Sequence, residues 1–255
     1  MSRDDEWDGE VLRRVSPEWA ERVIFLPECG STNDEARGVA LKGAEGPAVI
    51  LTERQTAGRG RRGQPWSCRP EEGIAFSLML RPDEPAALWS RCALAAGLAV
   101  AEGLDAFGLF CGVKWPNDVW VGGKKICGIL VEAGADFVVV GVGINVNVEA
   151  FPDGLAHTAT SVLLETGQKG SREEVLVSCL QRLRLRLAQI GSGFDDLLSA
   201  WSERCVLTGK NVRLETGEGE KRGRVRGVSS QGELLLMTDS GLEKVLQANE
   251  IRLLE

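Results

Sequence analysis

Apolar and polar residues alternate along this chain in two rhythms, and the rhythms divide it into elements. Runs with a period near two, rich in β-branched residues, predict strands at Arg22–Leu26, Pro47–Thr52 and Ile74–Leu80. Three more are expected at Gly112–Trp115, Lys125–Glu132 and Phe137–Val142, with turn signals at Pro116-Asn117-Asp118 and Gly122-Gly123 between them. A helical period replaces this at about Asn33–Lys42, where Thr32 and Glu35 form a T-x-x-E capping box. Ala86–Leu104 is rich in alanine and leucine and predicts a second helix. A third is expected over Arg172–Ile190, opened by Ser171 and Glu174 as another capping box. Its apolar stripe is Leu176, Leu180, Leu183, Leu187 and Ile190, which leaves Arg182, Arg184 and Arg186 on a solvated face. Phe194–Ser202 is a shorter helix.

After Arg204 the texture changes. Short β-like runs (Asn211–Leu214, Gly223–Val228, Glu233–Met237, Glu243–Leu246, Ile251–Leu253) alternate with glycine turns and predict a small barrel. The expected organisation is therefore a larger α/β unit over residues 1–204 and a β-barrel over 205–255. Residues 1–20 carry three aspartates and three glutamates and read as an arm or a short helix. Residues 54–70 are polar and hold five arginines. A loop that long inside a compact domain is usually functional or disordered.

Composition narrows the function. Hydrophobic content of 43% provides for a packed core. A net charge of −7 argues against nonspecific nucleic-acid binding, although a local basic cluster can still hold a small anion. The seven cysteines are widely spaced, with no C-x-x-C pair, so no metal site is expected and reduced thiols in a cytoplasmic protein are. No apolar run is long enough to span a bilayer, so no membrane partner is expected. The one histidine, His157, cannot supply a multi-histidine metal site.

Four motifs carry candidate chemistry. Gly58-Arg59-Gly60-Arg61-Arg62-Gly63 sets guanidinium groups on a backbone that can approach a ligand closely. On its own it reads equally as a solvated loop or an RGG-like nucleic-acid contact. Trp66 just beyond it could cover a ring such as a purine, or pack in the core. Lys114-Trp115-Pro116-Asn117-Asp118 presents three polar groups at a strand end, although Asn-Asp in a turn commonly bonds its own backbone. Lys125 stands at the mouth of the apolar strand Ile126–Glu132, where Gly128 would allow close approach of a ligand. Gly141-Val142-Gly143-Ile144-Asn145-Val146-Asn147 lacks the third glycine of a dinucleotide fingerprint, and no P-loop pattern occurs.

Taken together and in this order, these motifs resemble the biotin–protein ligase family. The likeness runs from Ser31-Thr32-Asn33 through Glu53–Ala57, GRGRRG and Trp66 to KWPND, Lys125 and GVGINVN. It implies a mixed-sheet α/β (α+β) catalytic domain followed by a small SH3-like barrel. It also implies the reaction: biotin and ATP, with Mg2+, give biotinyl-5′-AMP, and a lysine of a biotin carboxyl carrier protein then takes the biotin. By this likeness Ser31, Thr32, Asn33, Gln55, Arg59, Gly60, Arg61 and Lys125 line the biotin and adenylate site. Gly58, Lys114, Asn117, Gly128, Ile129 and Asn145 complete the expected binding set. Trp66 is expected over the adenine. Lys125, Arg61 and Asp118 are the expected catalytic groups, Asp118 orienting the acceptor lysine or taking its proton.

The chain departs from the family pattern in two places. Gln64 stands where the family commonly has an arginine, and Arg252 does not align with a C-terminal arginine that reaches the nucleotide. About 20 residues precede the first strand, too few for a helix-turn-helix module, so neither a DNA partner nor a repressor role is expected. Sheet edges in such a fold offer one route to a homodimer. The rival readings are a lipoate or octanoate ligase of the same fold and a nucleic-acid-binding module built on the arginine loop.

Overall fold

The computed structural model describes residues 23–254, together with Trp7 and Trp19. Apart from those two tryptophans, the expected arm or helix over residues 1–20 lies outside the described residues. The described elements begin with β1 (Val23–Cys29), α1 (Thr32–Leu41), β2 (Ala48–Gln55) and β3 (Gly73–Leu80). The expected helix over 86–104 is a 3-10 turn, Ala86–Leu88, followed by α2 (Arg91–Leu104). Next come β4 (Gly112–Lys114), β5 (Asp118–Val121), β6 (Lys124–Ala133) and β7 (Val138–Asn145). Strand β5 was not expected. The anticipated turn at 116–118 closes a hairpin in which Lys114 faces Asp118. The remaining helices are α3 (Val162–Thr166), α4 (Arg172–Leu187) and α5 (Phe194–Glu203).

The seven strands form one mixed sheet in the order β1-β2-β3-β7-β6-β5-β4. Only β1 and β2 run parallel; the other neighbours are antiparallel. Period two assigns the two faces. Val49 and Leu51, Ile74, Phe76 and Leu78, and Val138, Val140, Val142 and Ile144 join the large core with α2 and α4. The opposite face packs Ile50, Met79 and Val139 under Ala36 and Ala40 of α1. Farther along, that same face carries Ser77, Gly141, Gly143 and Gly128, and these small side chains leave a trough. Central strands β3 and β7 are buried on both faces, which is why they are apolar almost throughout.

Helix α4 matches its sequence. Ser171 accepts a hydrogen bond from the Glu174 amide, and Leu176, Leu180, Leu183 and Leu187 are all buried. The helix ends at Leu187, with Ile190 buried just beyond it. Arg182 and Arg184 are exposed as expected. Arg186 is not part of that solvated face: it pairs through Nε and Nη2 with the Glu102 carboxylate of α2.

The C-terminal strands are β8 (Asn211–Thr216), β9 (Gly219–Val228), β10 (Leu234–Thr238), β11 (Gly241–Val245) and β12 (Glu250–Leu253). They pair antiparallel in the order β11-β10-β9-β8-β12. A sheet of about 50 residues buries little apolar surface alone. Here Val212, Leu214, Val225, Leu234, Leu236, Val245 and Ile251 belong to the same apolar cluster as α2, Val113 and Trp115. Two polar clamps add to this. Lys114 Nζ donates to Ile251 O at 3.1 Å, and Trp115 Nε1 donates to Gly232 O at 2.9 Å.

Candidate active site

A cavity of about 610 Å³ opens over the trough in the sheet, between the start of α1, the arginine-glycine loop and the rim of the C-terminal sheet. That volume suits a ligand of small-molecule size. Its residues fall into a neutral end and a charged end.

The neutral end is built by the start of α1. Ser31, Thr32 and Asn33 are buried where β1 turns into the helix. The Thr32 amide and hydroxyl reach Gln55 Oε1 at 2.9 and 3.3 Å. Ser77 Oγ lies 2.7 Å from Thr32 Oγ1 and 2.6 Å from Asn33 Oδ1. With the Thr32 hydroxyl engaged in this way, the expected Thr32–Glu35 capping box does not form; Ser31 is the N-cap residue, and its side chain makes no capping bond. The Ser31 hydroxyl has no hydrogen bond among the described residues, and the Gln55 carboxamide nitrogen makes none either, so both remain for a ligand. Asn33 Nδ2 donates to Glu132 Oε2 at 2.7 Å. A Cβ on Gly141 would stand 2.1 Å from Asn33 Oδ1, so that glycine is what lets Asn33 lie on the sheet.

The arginine-glycine loop is a defined hairpin. Gly60 N donates to Gln64 O at 2.7 Å, Trp66 N donates to Gly58 O at 2.9 Å, and Arg59 bridges Pro65. Arg62 sits at φ 56° at its tip, a left-handed conformation uncommon for a side-chain-bearing residue. The indole of Trp66 rests on the cross-strand pair Gly128–Gly143. A Cβ on Gly143 would meet the ring at 2.2 Å, and one on Gly128 would meet both the ring and Lys125 Nζ at 3.1 Å. Gly128 thus admits Trp66 and Lys125 to the sheet as well as lining the cavity. Trp66 is half-buried at the cavity wall, so cavity lining and packing on the sheet both hold.

The charged end centres on Lys125 and Asp118, whose Nζ and Oδ1 atoms are 2.6 Å apart. Lys125 Nζ also lies 5.7 Å from the Trp66 ring centre. Asp118 owes its place to Asn117, which bonds across to β6 instead of to its own backbone. Asn117 Nδ2 donates to Ile129 O at 2.8 Å, and Ile129 N donates to Asn117 O at 2.9 Å. Arg61 has no hydrogen-bond or ion-pair partner among the described residues. Burial lowers its pKa, Arg62 lowers it further, and Asp118 acts in the opposite direction. Arg59 differs: both its terminal nitrogens bond Asp34 at 2.7 Å, and Nη2 reaches Glu132 Oε2 at 3.2 Å. Its pKa is raised, chiefly by the hydrogen bonds to Asp34.

Most of the residues expected at the site line this cavity: Ser31, Thr32, Asn33, Gln55, Arg59, Gly60, Arg61, Trp66, Asn117, Asp118, Lys125, Gly128 and Ile129. Three do not. Gly58 lies beneath the loop, where a Cβ would fall 2.4 Å from Trp66 O. Lys114 points at the C-terminal sheet, bonded to Ile251 O, with its Nζ 4.0 Å from the Trp120 ring centre. Asn145 is buried and donates to Thr160 O at 3.0 Å. Thr160 N and Thr158 O in turn bond both backbone groups of Lys125.

Sequence reasoning missed Ser77 and the carboxylates Asp34 and Glu132, and it named Gly141 and Gly143 only within the GVGINVN motif, without a place in the site. It also missed Glu215, Asn249 and Glu250, which the C-terminal sheet brings to the rim. The glycines had a signal, since 141, 143 and Asn145 share one face of β7 at period two. The rim residues had none, because their position depends on how the sheet docks. Gln64 lines the cavity, and its backbone closes the hairpin. Arg252 is not among the lining residues and pairs with Glu250 at 2.7 Å. Among the described residues no group of three or more His, Cys, Asp or Glu could hold a metal ion, and no helix is long and apolar enough to cross a membrane.

Residues 29–148 match the biotin/lipoate A/B protein ligase family, and residues 207–254 match the biotin protein ligase C-terminal domain. The bifunctional ligase/repressor BirA of Bacillus spizizenii is 34% identical over 238 residues, covering 90% of this chain and 73% of the relative. The biotin–[acetyl-CoA-carboxylase] ligase of Paracoccus denitrificans is 36% identical over 242 residues, covering 89% of this chain and 98% of the relative. Among solved structures, the biotin protein ligase of Aquifex aeolicus in complex with biotin and ATP superposes with a TM-score of 0.82 at 31% identity, covering 92% of this chain and all of that one. With a matching family model over each part of the chain and relatives of this identity and coverage, the chain belongs to the biotin protein ligase family.

Proposed function

We propose that this chain joins biotin to a protein lysine in two steps within the one cavity, with the following residue roles. In the first step an oxygen of the biotin carboxylate bonds to the α-phosphorus of ATP, supplied as its magnesium salt, and pyrophosphate leaves. In the second, the amine of an acceptor lysine bonds to the acyl carbon and AMP leaves. The acceptor is a biotin carboxyl carrier domain, the class implied by the names of the relatives. The seven free thiols agree with a reducing, cytoplasmic setting.

The observation that carries the assignment is the division of the cavity. Ser31, Thr32 and Gln55 offer uncharged donors and acceptors, which suit a neutral polar ring such as the ureido group of biotin. Two anions must approach each other at the other end, where unpaired Arg61 and the ammonium of Lys125 offset the charge building on the phosphate. Trp66 provides a flat apolar wall beside Lys125, so the ring and the charge can be met together. Asp118, already held by Lys125, is placed to take the proton that the acceptor ammonium must lose before it can attack. The loop hairpin shields the mixed anhydride from water.

Incubating the protein with ATP and either biotin or lipoate, then detecting acyl-adenylate by mass, tests the assignment. Biotinyl-AMP is expected. Adenylation of lipoate but not biotin would overturn the reading in favour of the sister activity.

A further inference from the structure

Arg59 and Arg61 are two residues apart in one loop, and their surroundings are opposite. Arg61 has no hydrogen-bond or ion-pair partner among the described residues and lines the cavity. Arg59 donates to both oxygens of Asp34, at 2.7 Å each, and to Glu132 at 3.2 Å. One cation thus faces two carboxylates. An anionic ligand would have to displace a bidentate partner to reach it. The Asp34 carboxyl is correspondingly held below its usual range, first by the hydrogen bonds from Arg59.

We infer that Arg59 is a positioning residue, a latch that fastens the arginine-glycine hairpin to α1 and β6, with Asp34 and Glu132 as its catch. On the loop side, the bonds Gly60 N–Gln64 O and Trp66 N–Gly58 O make the hairpin one unit. Fastening residue 59 therefore also holds Arg61 and Trp66 over the cavity. On the sheet side, Glu132 accepts from Asn33 as well, so the catch is tied to the neutral end of the site. This inference rests on the adenylating reading of the cavity and adds to it what keeps the loop shut.

The test compares Asp34→Asn, Arg59→Met, the double variant and Glu35→Gln. The last removes the same charge from the same helical turn without touching Arg59. Three quantities are measured: release of biotinyl-adenylate, biotin affinity by calorimetry, and hydrogen exchange at residues 58–64. A latch predicts that Asp34→Asn and Arg59→Met each speed release about fivefold, the scale of a partly exposed ion pair. Both should also lose exchange protection in the loop, the double variant should be no worse than either single one, and Glu35→Gln should match the wild type. If Arg59 instead binds the ligand's anion, Asp34→Asn frees it and biotin binds more tightly while Arg59→Met weakens binding; that result, or unchanged loop protection in Arg59→Met, overturns the inference. A wild type that makes no biotinyl-adenylate would overturn the functional reading instead, and the exchange measurement would still decide the latch.

Discussion

Alanine at position 143 would place a methyl group inside the Trp66 ring. The added Cβ falls 2.2 Å from Trp66 Cε2 and 2.3 Å from Nε1. Carbon atoms rest about 3.5 Å apart, so the indole must withdraw by roughly 1.3 Å. The ring is not free to do so cheaply, because Trp66 N is bonded to Gly58 O and the hairpin moves with it. Overpacking of this kind costs about 1–3 kcal/mol. At about 2–4 °C per kcal/mol for a chain of this size, the melting temperature should fall by roughly 2–12 °C. Biotin-dependent adenylation should weaken as well, since Trp66 lies beside Lys125. The assay pairs differential scanning fluorimetry with steady-state kinetics of biotinyl-AMP formation. Gly38→Ala serves as the control: it is helical with nothing within 4 Å of the new Cβ, so about 0.5–1 kcal/mol of added stability is expected. A Gly143→Ala variant with wild-type melting and wild-type KM would refute the packing of the indole on β7.

Lys125→Ala should abolish adenylate formation while the far-ultraviolet circular dichroism stays unchanged; near-normal turnover would remove Lys125 from the site. Lys114→Met removes the bond to Ile251 O and leaves that acceptor without its lysine partner, so a loss of about 1–3 kcal/mol is expected, with faster proteolysis near residue 204. Unchanged cleavage there would show that Lys114 does not dock the C-terminal sheet. Burial pushes the thiols of Cys68, Cys92 and Cys111 up to about 12. Protonated thiols are thus favoured in the folded state, so their contribution is complete below about pH 9 and is lost as the pH rises towards about 12, where the unfolded chain ionises first. Urea midpoints at pH 8, 9 and 10 should decline accordingly, and in the native state a thiol reagent should label the half-buried Cys205 before the six buried cysteines; rapid labelling of several would contradict that packing.

Local patterns were legible where local forces decide. The cap at Ser171 and the leucine stripe of α4 could be read directly, as could the β-like runs after Arg204. Where tertiary contacts outcompete local ones, the reading failed in identifiable ways. Thr32 and Glu35 are spaced for a capping box, yet Gln55 and Ser77, distant in sequence, take the Thr32 hydroxyl. Arg186 has the spacing of a surface arginine and instead closes an ion pair with Glu102 of α2. Strand β5 is only four residues long and followed a turn signal that masked it. The KWPND motif was recognised as a unit, but its residues divide: Lys114 and Trp115 clamp the C-terminal sheet, while Asn117 and Asp118 serve the cavity. Arg59 and Arg61 look equivalent in sequence, and only the fold shows that Asp34 and Glu132 occupy one and leave the other open. Glu215, Asn249 and Glu250 reach the rim from far along the chain, and no periodicity could have placed them there.

In the proposed reaction one cavity, neutral at the α1 end and cationic at Lys125 and Arg61, joins a carboxylate to the α-phosphate of ATP. Exchange of labelled pyrophosphate into ATP measures that step alone, without an acceptor protein. Exchange should depend on biotin, be absent with lipoate, and disappear in Lys125→Ala. Exchange supported by lipoate and not by biotin, or none with either acid, would contradict that reaction.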